Sequence, residues 1–303
     1  MPGQDTNPQI FADADFPALF LAADHASRST QRRYSAMTGV ILGGLVAGAA
    51  LSGLSRMFPD AARGVAFATA GITSLSFMLT TIRWALKPEK HWYAARAVAE
   101  KVRSLTWLFV TDADPYVPSL TGDEASTQFL GDLRRTIQDQ GHAALGFGSE
   151  FTEHPQITAR MRAIRAGSLE ARRDLYLTAR LRDQRRWYGS RARRNQVAGT
   201  RSYILIQFSQ AGALASSVLL VSPYMSGWDF AGLFSAVASA LIGWMHLRQY
   251  QELAHAYAMA ALDLGLIEER ASMIKTETDL AAFVAEAEAA IGRERTMWTA
   301  KRQ

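Results

Sequence analysis

The sequence predicts an all-helical integral membrane protein, built from two transmembrane hairpins (four spans) with long cytoplasmic helices attached. Three observations predict it. Charges vanish from four runs of membrane-crossing length, the runs pair across short connections, and no stretch shows the two-residue alternation of a strand. Averages hide this pattern: the 303 residues are 49% hydrophobic and 20% charged, with a mean hydropathy of -0.05. The absence of cysteine excludes thiol nucleophiles, cysteine zinc sites and iron–sulfur clusters. A net charge of +5 suits an anionic partner, lipid or nucleic acid.

The first span (~36–55) lies in the uncharged run Tyr34 to Ser55, and the second (~64–83) in Gly64 to Ile82. The third (~203–222) falls in Ser202 to Trp228 and the fourth (~230–247) in Phe230 to Leu247. Core helices of soluble proteins keep a polar stripe, and these runs are apolar or small all round apart from Ser, Thr, Gln207 and Gln210. Gly39/Gly43 and Gly44/Gly48 are GxxxG pairs, and Ser235, Ser239 and Gly243 repeat a small residue every fourth position. In a bilayer such residues let helices pack closely, so all seven are candidate span-packing positions. A signal peptide is rejected, because the first run starts late and exceeds a signal's apolar core.

Residues 57–63 and 222–229 read as tight interfacial turns, with Phe58, Tyr224 and Trp228 at headgroup depth. Arg56 and Arg63 are the only basic residues at those turns, so both termini and the 83–201 connection are expected on the cytoplasmic side.

The remaining segments read as helices. Phe16 to Arg33 leads into the first span. Glu89 to Val110 continues the second, with Trp92, Ala95, Ala99, Val102 and Leu105 on one face, and the Thr111–Pro118 turn ends it. Ala125 to Gln140 forms another helix, and 141–148 with Pro155 a linker. Ser168 to Arg201 reads as one helix entering the third span, Arg248 to Arg270 leaves the fourth, and a last helix reaches Arg295. Matching Gln-Arg-Arg-aromatic entries, at Gln31 and Gln184, point to an internal duplication. The predicted organisation is a first unit at 1–110, a cytoplasmic connection at 111–165 and a second unit at 166–303.

No nucleotide loop, metalloprotease motif, nucleophile elbow or calcium loop occurs, and the six histidines lack metal-ligand spacing. Asp112-Ala-Asp114 reads as a turn beside prolines rather than a cation site. The spans carry no charge at mid-membrane, which disfavours a proton relay or voltage sensor. Gln207 and Gln210 read as interhelical hydrogen-bond partners. The expectation is no enzyme, no cofactor, no metal and no nucleic acid.

From Arg160 to Arg201 there are 13 arginines. Two readings stand side by side: a positive-inside collar on anionic lipid, or a surface for the phosphates of a nucleotide signal. Arg185, Arg186, Arg191, Arg193 and Arg194 are the candidate contacts. In the same helix Tyr176, Arg180, Gln184, Trp187, Arg191 and Asn195 fall on one face. That face is expected to pack on the helix leaving the neighbouring hairpin, with Arg180 and Arg191 buried against acids such as Glu100 or Glu252.

Three stretches carry a family resemblance. They are Ala22 to Tyr34, Trp92-Tyr93-Ala-Ala-Arg96 running through Glu100 to Trp107, and Tyr176 to Asn195 with Arg180, Asp183, Gln184, Trp187 and Tyr188. They resemble the SLATT families, the SMODS- and SLOG-associating two-TM effector domains, as two units in tandem. The resemblance implies a membrane effector of a bacterial conflict or anti-phage system that assembles into homo-oligomers and permeabilises the inner membrane. Its signal would come from a nucleotide second messenger or a sensor protein. The alternative is a membrane-anchored scaffold that recruits a soluble partner through its cytoplasmic helices.

Overall fold

The computed structural model describes residues 11–57, 59–139, 151–221 and 230–300, with only the backbone described at 54–57, 59 and 293–300. The 141–148 linker, the 222–229 turn with Tyr224 and Trp228, and Phe58 lie outside the described residues. Among the described residues there is no strand, as the helical periodicities predict. The helices are α1 (Ala18–Met57), α2 (Ala62–Leu86), α3 (Pro88–Val110), α4 (Gly122–Asp139), α5 (Ala159–Arg165), α6 (Leu169–Tyr176), α7 (Asp183–Leu219), α8 (Ala231–Arg248), α9 (Tyr250–Glu269) and α10 (Glu277–Ala300). A π-helical turn, Leu177–Arg182, joins α6 to α7.

The second and fourth apolar runs, expected to continue unbroken into the helices after them, are each interrupted. Lys87 takes a left-handed conformation (φ 42°) between α2 and α3, and Gln249 does the same (φ 48°) between α8 and α9. Pro88 supplies one cause, since the residue before a proline is driven out of the helical region. Each break closes with a backbone hydrogen bond, Lys87 to Arg83 and Gln249 to Met245. The recurrence of one stop at the same point of both hairpins is the structural trace of the duplication. Helix α5 escaped the sequence reading because it has seven residues. Its start is set by Thr158, whose hydroxyl accepts from the Met161 amide.

Contacts divide the chain into two compact units that cut across the sequence halves. Unit 1 comprises residues 1–31, 89–191 and 256–303. Its core is aromatic: Trp107 lies 5.0 Å from Phe11 and 5.6 Å from Tyr176, and Tyr176 lies 6.3 Å from Phe283. Ala95, Ala99, Val102 and Leu105 of α3 are buried as their spacing predicts, whereas Trp92 is only half-buried. The start of α1 has no acidic cap of its own. The Pro155 carbonyl and Gln156 Oε1 accept from the Ala18 and Leu19 amides instead, at 3.3 and 3.2 Å.

Unit 2 comprises residues 32–88 and 192–255. Its burial is inverted relative to a water-soluble bundle. Thr38, Ser76, Ser209 and Ser216 are buried, while Phe67, Phe77, Trp84, Phe208, Leu214 and Val221 are exposed by 67% or more. Four hydroxyls bond within their own helices: Thr38 donates to Tyr34, Thr80 to Ser76, Ser209 to Leu205 and Ser217 to Ala213, all at 2.8–3.0 Å. Among the described residues, Ala18–Gly53 and Ala62–Leu86 are long and apolar enough to cross a membrane. The other two expected spans fall short of that measure. The apolar part of α7 carries Gln207, Ser209 and Gln210, and α8 has 18 residues ending in His246-Leu-Arg248.

Candidate functional site

The densest chemistry in the chain is a buried set of arginine–carboxylate pairs in unit 1, held by α3, α6, the π turn and α10. Arg180 sits in the π turn and is 3% exposed. Its Nε and Nη2 each donate to one oxygen of Glu288 at 2.8 Å, and the Tyr176 hydroxyl donates to the same carboxylate at 3.1 Å. Burial by itself lowers the Arg180 pKa, but Glu288 outweighs it and holds the guanidinium above its ordinary value. Burial, reinforced by the Glu288 charge, pushes the Tyr176 phenol well up. The guanidinium therefore stays charged and the phenol neutral. The group is suited to holding α10 and not to exchanging protons.

A second cluster lies at the turn after α3. Asp112 has φ 56° and points between Arg165 and Arg172. Arg165 Nη1 approaches Asp112 Oδ1 at 2.6 Å as an ion-pair contact and donates to the Phe109 carbonyl at 2.6 Å. Arg172 donates to Asp112 and, at 2.5 Å, to Glu277 at the start of α10. Burial raises the Asp112 pKa against the pull of both arginines. Asp112 thus serves the turn expected at Asp112-Ala-Asp114, with arginines as its partners.

The motif residues divide between these clusters and their flanks. Trp92 and Tyr93 stack at 4.5 Å, and Arg96 pairs with Glu100 at 2.8 Å on α3. Glu100 also meets Arg103, whose guanidinium lies 4.7 Å over the Phe20 ring and whose pKa burial lowers. Trp187 and Tyr188 pack on Tyr257 of α9 at 5.4 and 5.8 Å. Gln184 and Asn195 are half-buried, and Asp183 is exposed.

The expected burial of Arg180 and Arg191 against Glu100 or Glu252 needs correction on both counts. Arg180 is buried, but its partner is Glu288. Arg191 is exposed, 5.2 Å over the Trp187 ring. The physical reason is the π turn, whose i→i+5 hydrogen bonds add a residue and rotate the face that 3.6-residue spacing predicts. Tyr176 and Arg180 consequently meet α10, while Trp187 meets α9.

Of the candidate lipid or phosphate contacts, Arg185 donates to Glu268 at 2.7 Å, sharing that carboxylate with Arg182. Arg186, Arg193 and Arg194 are exposed. Among the candidate packing residues of unit 2, Gly44 marks a close approach: a Cβ there would fall 2.5 Å from Ser76 Oγ. A Cβ at Gly243 would meet Leu42 at 3.9 Å, an ordinary contact. Gly39, Gly43 and Gly48 have open space beside them, and Ser235 and Ser239 are exposed. Gly212, where a Cβ would fall 2.9 Å from the Phe234 ring, is a second close approach that the small-residue patterns did not single out.

Glu277, Glu288, Arg165 and Arg172 are the site residues that sequence reasoning missed. The arginine run contained half of each pair, but the partners lie about a hundred residues further on, at separations of 105 and 108 for Arg172–Glu277 and Arg180–Glu288. No local pattern encodes such a pairing.

Outward-facing apolar side chains in unit 2 and buried ion pairs in unit 1 mark a helical membrane protein. Comparison with known families is specific. The model for SMODS and SLOG-associating 2TM effector domain 3 matches residues 17–173, and that for effector domain 1 matches residues 176–298. The chain belongs to the SLATT family, with two units in tandem. The joint between the two matches falls inside α6. SLATT domains are two-span, membrane-associated effector domains linked to conflict systems. No curated protein and no solved structure matches the chain.

Proposed function

We propose that the protein is a four-span effector of the bacterial inner membrane, with both termini cytoplasmic, which oligomerises and permeabilises that membrane on a cytoplasmic signal in anti-phage defence. The inverted burial of unit 2 supports this reading most directly. In water, burying Ser and Thr while exposing Phe, Leu and Trp is unfavourable at about 25 cal/mol per Å² of apolar surface. In hydrocarbon the same arrangement is the stable one. The inversion extends to the second hairpin: Ile204, Leu205, Phe208 and Leu214 are exposed, and Ser209, Ser216 and Ala238 are buried. At 1.5 Å per residue the 18 residues of α8 reach about 27 Å, close to the thickness of a bilayer core.

A nucleotide messenger or a sensor protein would act on the cytoplasmic helices, where exposed Arg186, Arg193 and Arg194 offer phosphate or lipid contacts. No enzymatic step is part of this reading. The test is dye leakage from liposomes carrying the purified chain, together with membrane potential in cells on induced expression. Leakage on addition of a signal nucleotide or partner is the expected result. Intact membranes across the candidate nucleotides and partners would remove the proposal.

A further inference from the structure

Away from residues 56–63 and 222–229, unit 2 carries eight arginines and lysines against a single carboxylate, Glu252. Unit 1 answers its buried arginines with acids, as Arg172 and Arg180 show. Unit 2 holds two of its own on aromatic rings instead. Arg83, in the last turn of α2, lies 5.1 Å over the Tyr34 ring of α1, and its Nη1 donates to Thr38 Oγ1 at 3.3 Å. Thr38 gives its own hydrogen to the Tyr34 carbonyl at 3.0 Å, which leaves its oxygen to accept from Arg83. Arg248, the last residue of α8, lies 4.6 Å over the Trp244 ring, and its buried Nε has no hydrogen-bond partner among the described residues.

A guanidinium has five N–H donors, and Arg83 spends one of them on a described residue. The ring and the hydroxyl orient it, and neither carries a charge that offsets its own. A phosphate accepts two parallel N–H bonds from such a fork. The surroundings of Arg83 show how that phosphate is carried. Leu75, Ile82 and Leu86 are exposed at i, i+7 and i+11 along the side of α2 next to it, and Trp84 and Lys87 are exposed at its own level. The Leu75–Leu86 stripe is about 16.5 Å long, and one leaflet of a bilayer core is about 15 Å deep. A free anion would leave that apolar surface uncovered. A phospholipid meets both features, with its phosphate on the fork and a chain along the stripe, and tryptophan beside a cation suits headgroup depth.

We propose that Arg83, set by Tyr34 and Thr38 with Lys87 one turn beyond, binds the phosphate of an anionic phospholipid whose acyl chain lies along Leu75, Ile82 and Leu86. The surplus of cations in unit 2 selects a lipid of net negative charge over a zwitterionic one. Because Arg83 belongs to α2 and its two supports to α1, a lipid bound there strengthens the α1–α2 pair. The proposal rests on the membrane placement of unit 2 given above and names a lipid for it.

The test follows thermal unfolding of the purified full-length chain in neutral detergent as lipid is added. Phosphatidylglycerol is expected to half-saturate the stabilisation at a concentration at least about fivefold below that of phosphatidylcholine. Inorganic phosphate at the same concentrations should give none. R83Q should lose the preference, and R63Q, which removes a charge at the turn, should keep it. An equal response to both lipids, a response to inorganic phosphate matching that to phosphatidylglycerol, or a full preference in R83Q would each overturn the proposal. Should R83Q not fold, Y34L decides: loss of the ring is expected to weaken phosphatidylglycerol binding by a similar factor, and an unchanged affinity overturns the site. Dye leakage from phosphatidylglycerol vesicles separates the two proposals. Leakage without a lipid preference removes only the Arg83 site, and the preference without leakage on any signal removes only the permeabilising function.

Discussion

Arg180 keeps its charge at 3% exposure because a carboxylate and a phenol meet it there, and that makes the pair asymmetric to mutation. Truncating one partner leaves an uncompensated buried charge, at about 3–5 kcal/mol, whereas replacing both with apolar residues of similar size is near neutral. R180A and E288A are each expected to unfold in detergent at markedly lower denaturant than the parent, and R180M/E288L to recover most of the loss, read by circular dichroism. Glu268 makes a pH-dependent contribution. Its partial burial opposes ionisation, but hydrogen bonds from Arg182 and Arg185 win and hold it below the ordinary 4.5. A depressed carboxylate stabilises the fold above its unfolded pKa, and that share is lost as pH falls through the folded value. The stability gap between parent and E268Q should therefore be constant at neutral pH and close below about pH 4.5 in acid denaturation curves. A gap unchanged down to pH 3 would refute the assignment. At this scale the sequence was half legible. The arginines announced themselves by density, and their acids did not, since Glu277 and Glu288 look like ordinary members of an Ala/Glu-rich helix.

That the apolar runs are helical was legible, because a run without charge of known length is a strong signal. Their joints were not. Gln249 carries nothing in its side chain that demands φ 48°, and the π turn at Leu177–Arg182 is invisible in a pattern that assumes uniform turns. Packing within the spans was legible only in outline. Five glycines and two serines fitted the small-residue spacing, yet Gly44 is the one pressed against another helix, with Ser76 Oγ 2.5 Å from where a Cβ would stand. G44V is expected to destabilise the α1–α2 pair by about 1–3 kcal/mol, the usual effect of overpacking. G39V and G48V should leave thermal stability in detergent unchanged. Equal losses at all three positions would show that the helix pair is held by the whole glycine stripe.

At the scale of the molecule, unit 1 takes residues 17–31 and 89–173 from one family match and residues 176–191 and 256–298 from the other. The Trp107–Tyr176 contact joins the two, as does the Arg172–Glu277 pair. Fragments 1–174 and 175–303 are accordingly expected to be degraded when expressed singly and to accumulate when expressed together, measured by immunoblot of membrane fractions. Independent accumulation of either fragment would contradict a shared core.

The αL stops at Lys87 and Gln249 and the doubled family match record a duplication, while the common core records what happened afterwards. Two copies that fold into one interior no longer evolve as paralogues free to diverge or be lost. Their dosage is fixed at one to one by the peptide bond between them, and a change in either half is screened at once against the other. A lineage carrying this gene has exchanged the freedom to mix subunits for an unequal pair that cannot be mismatched.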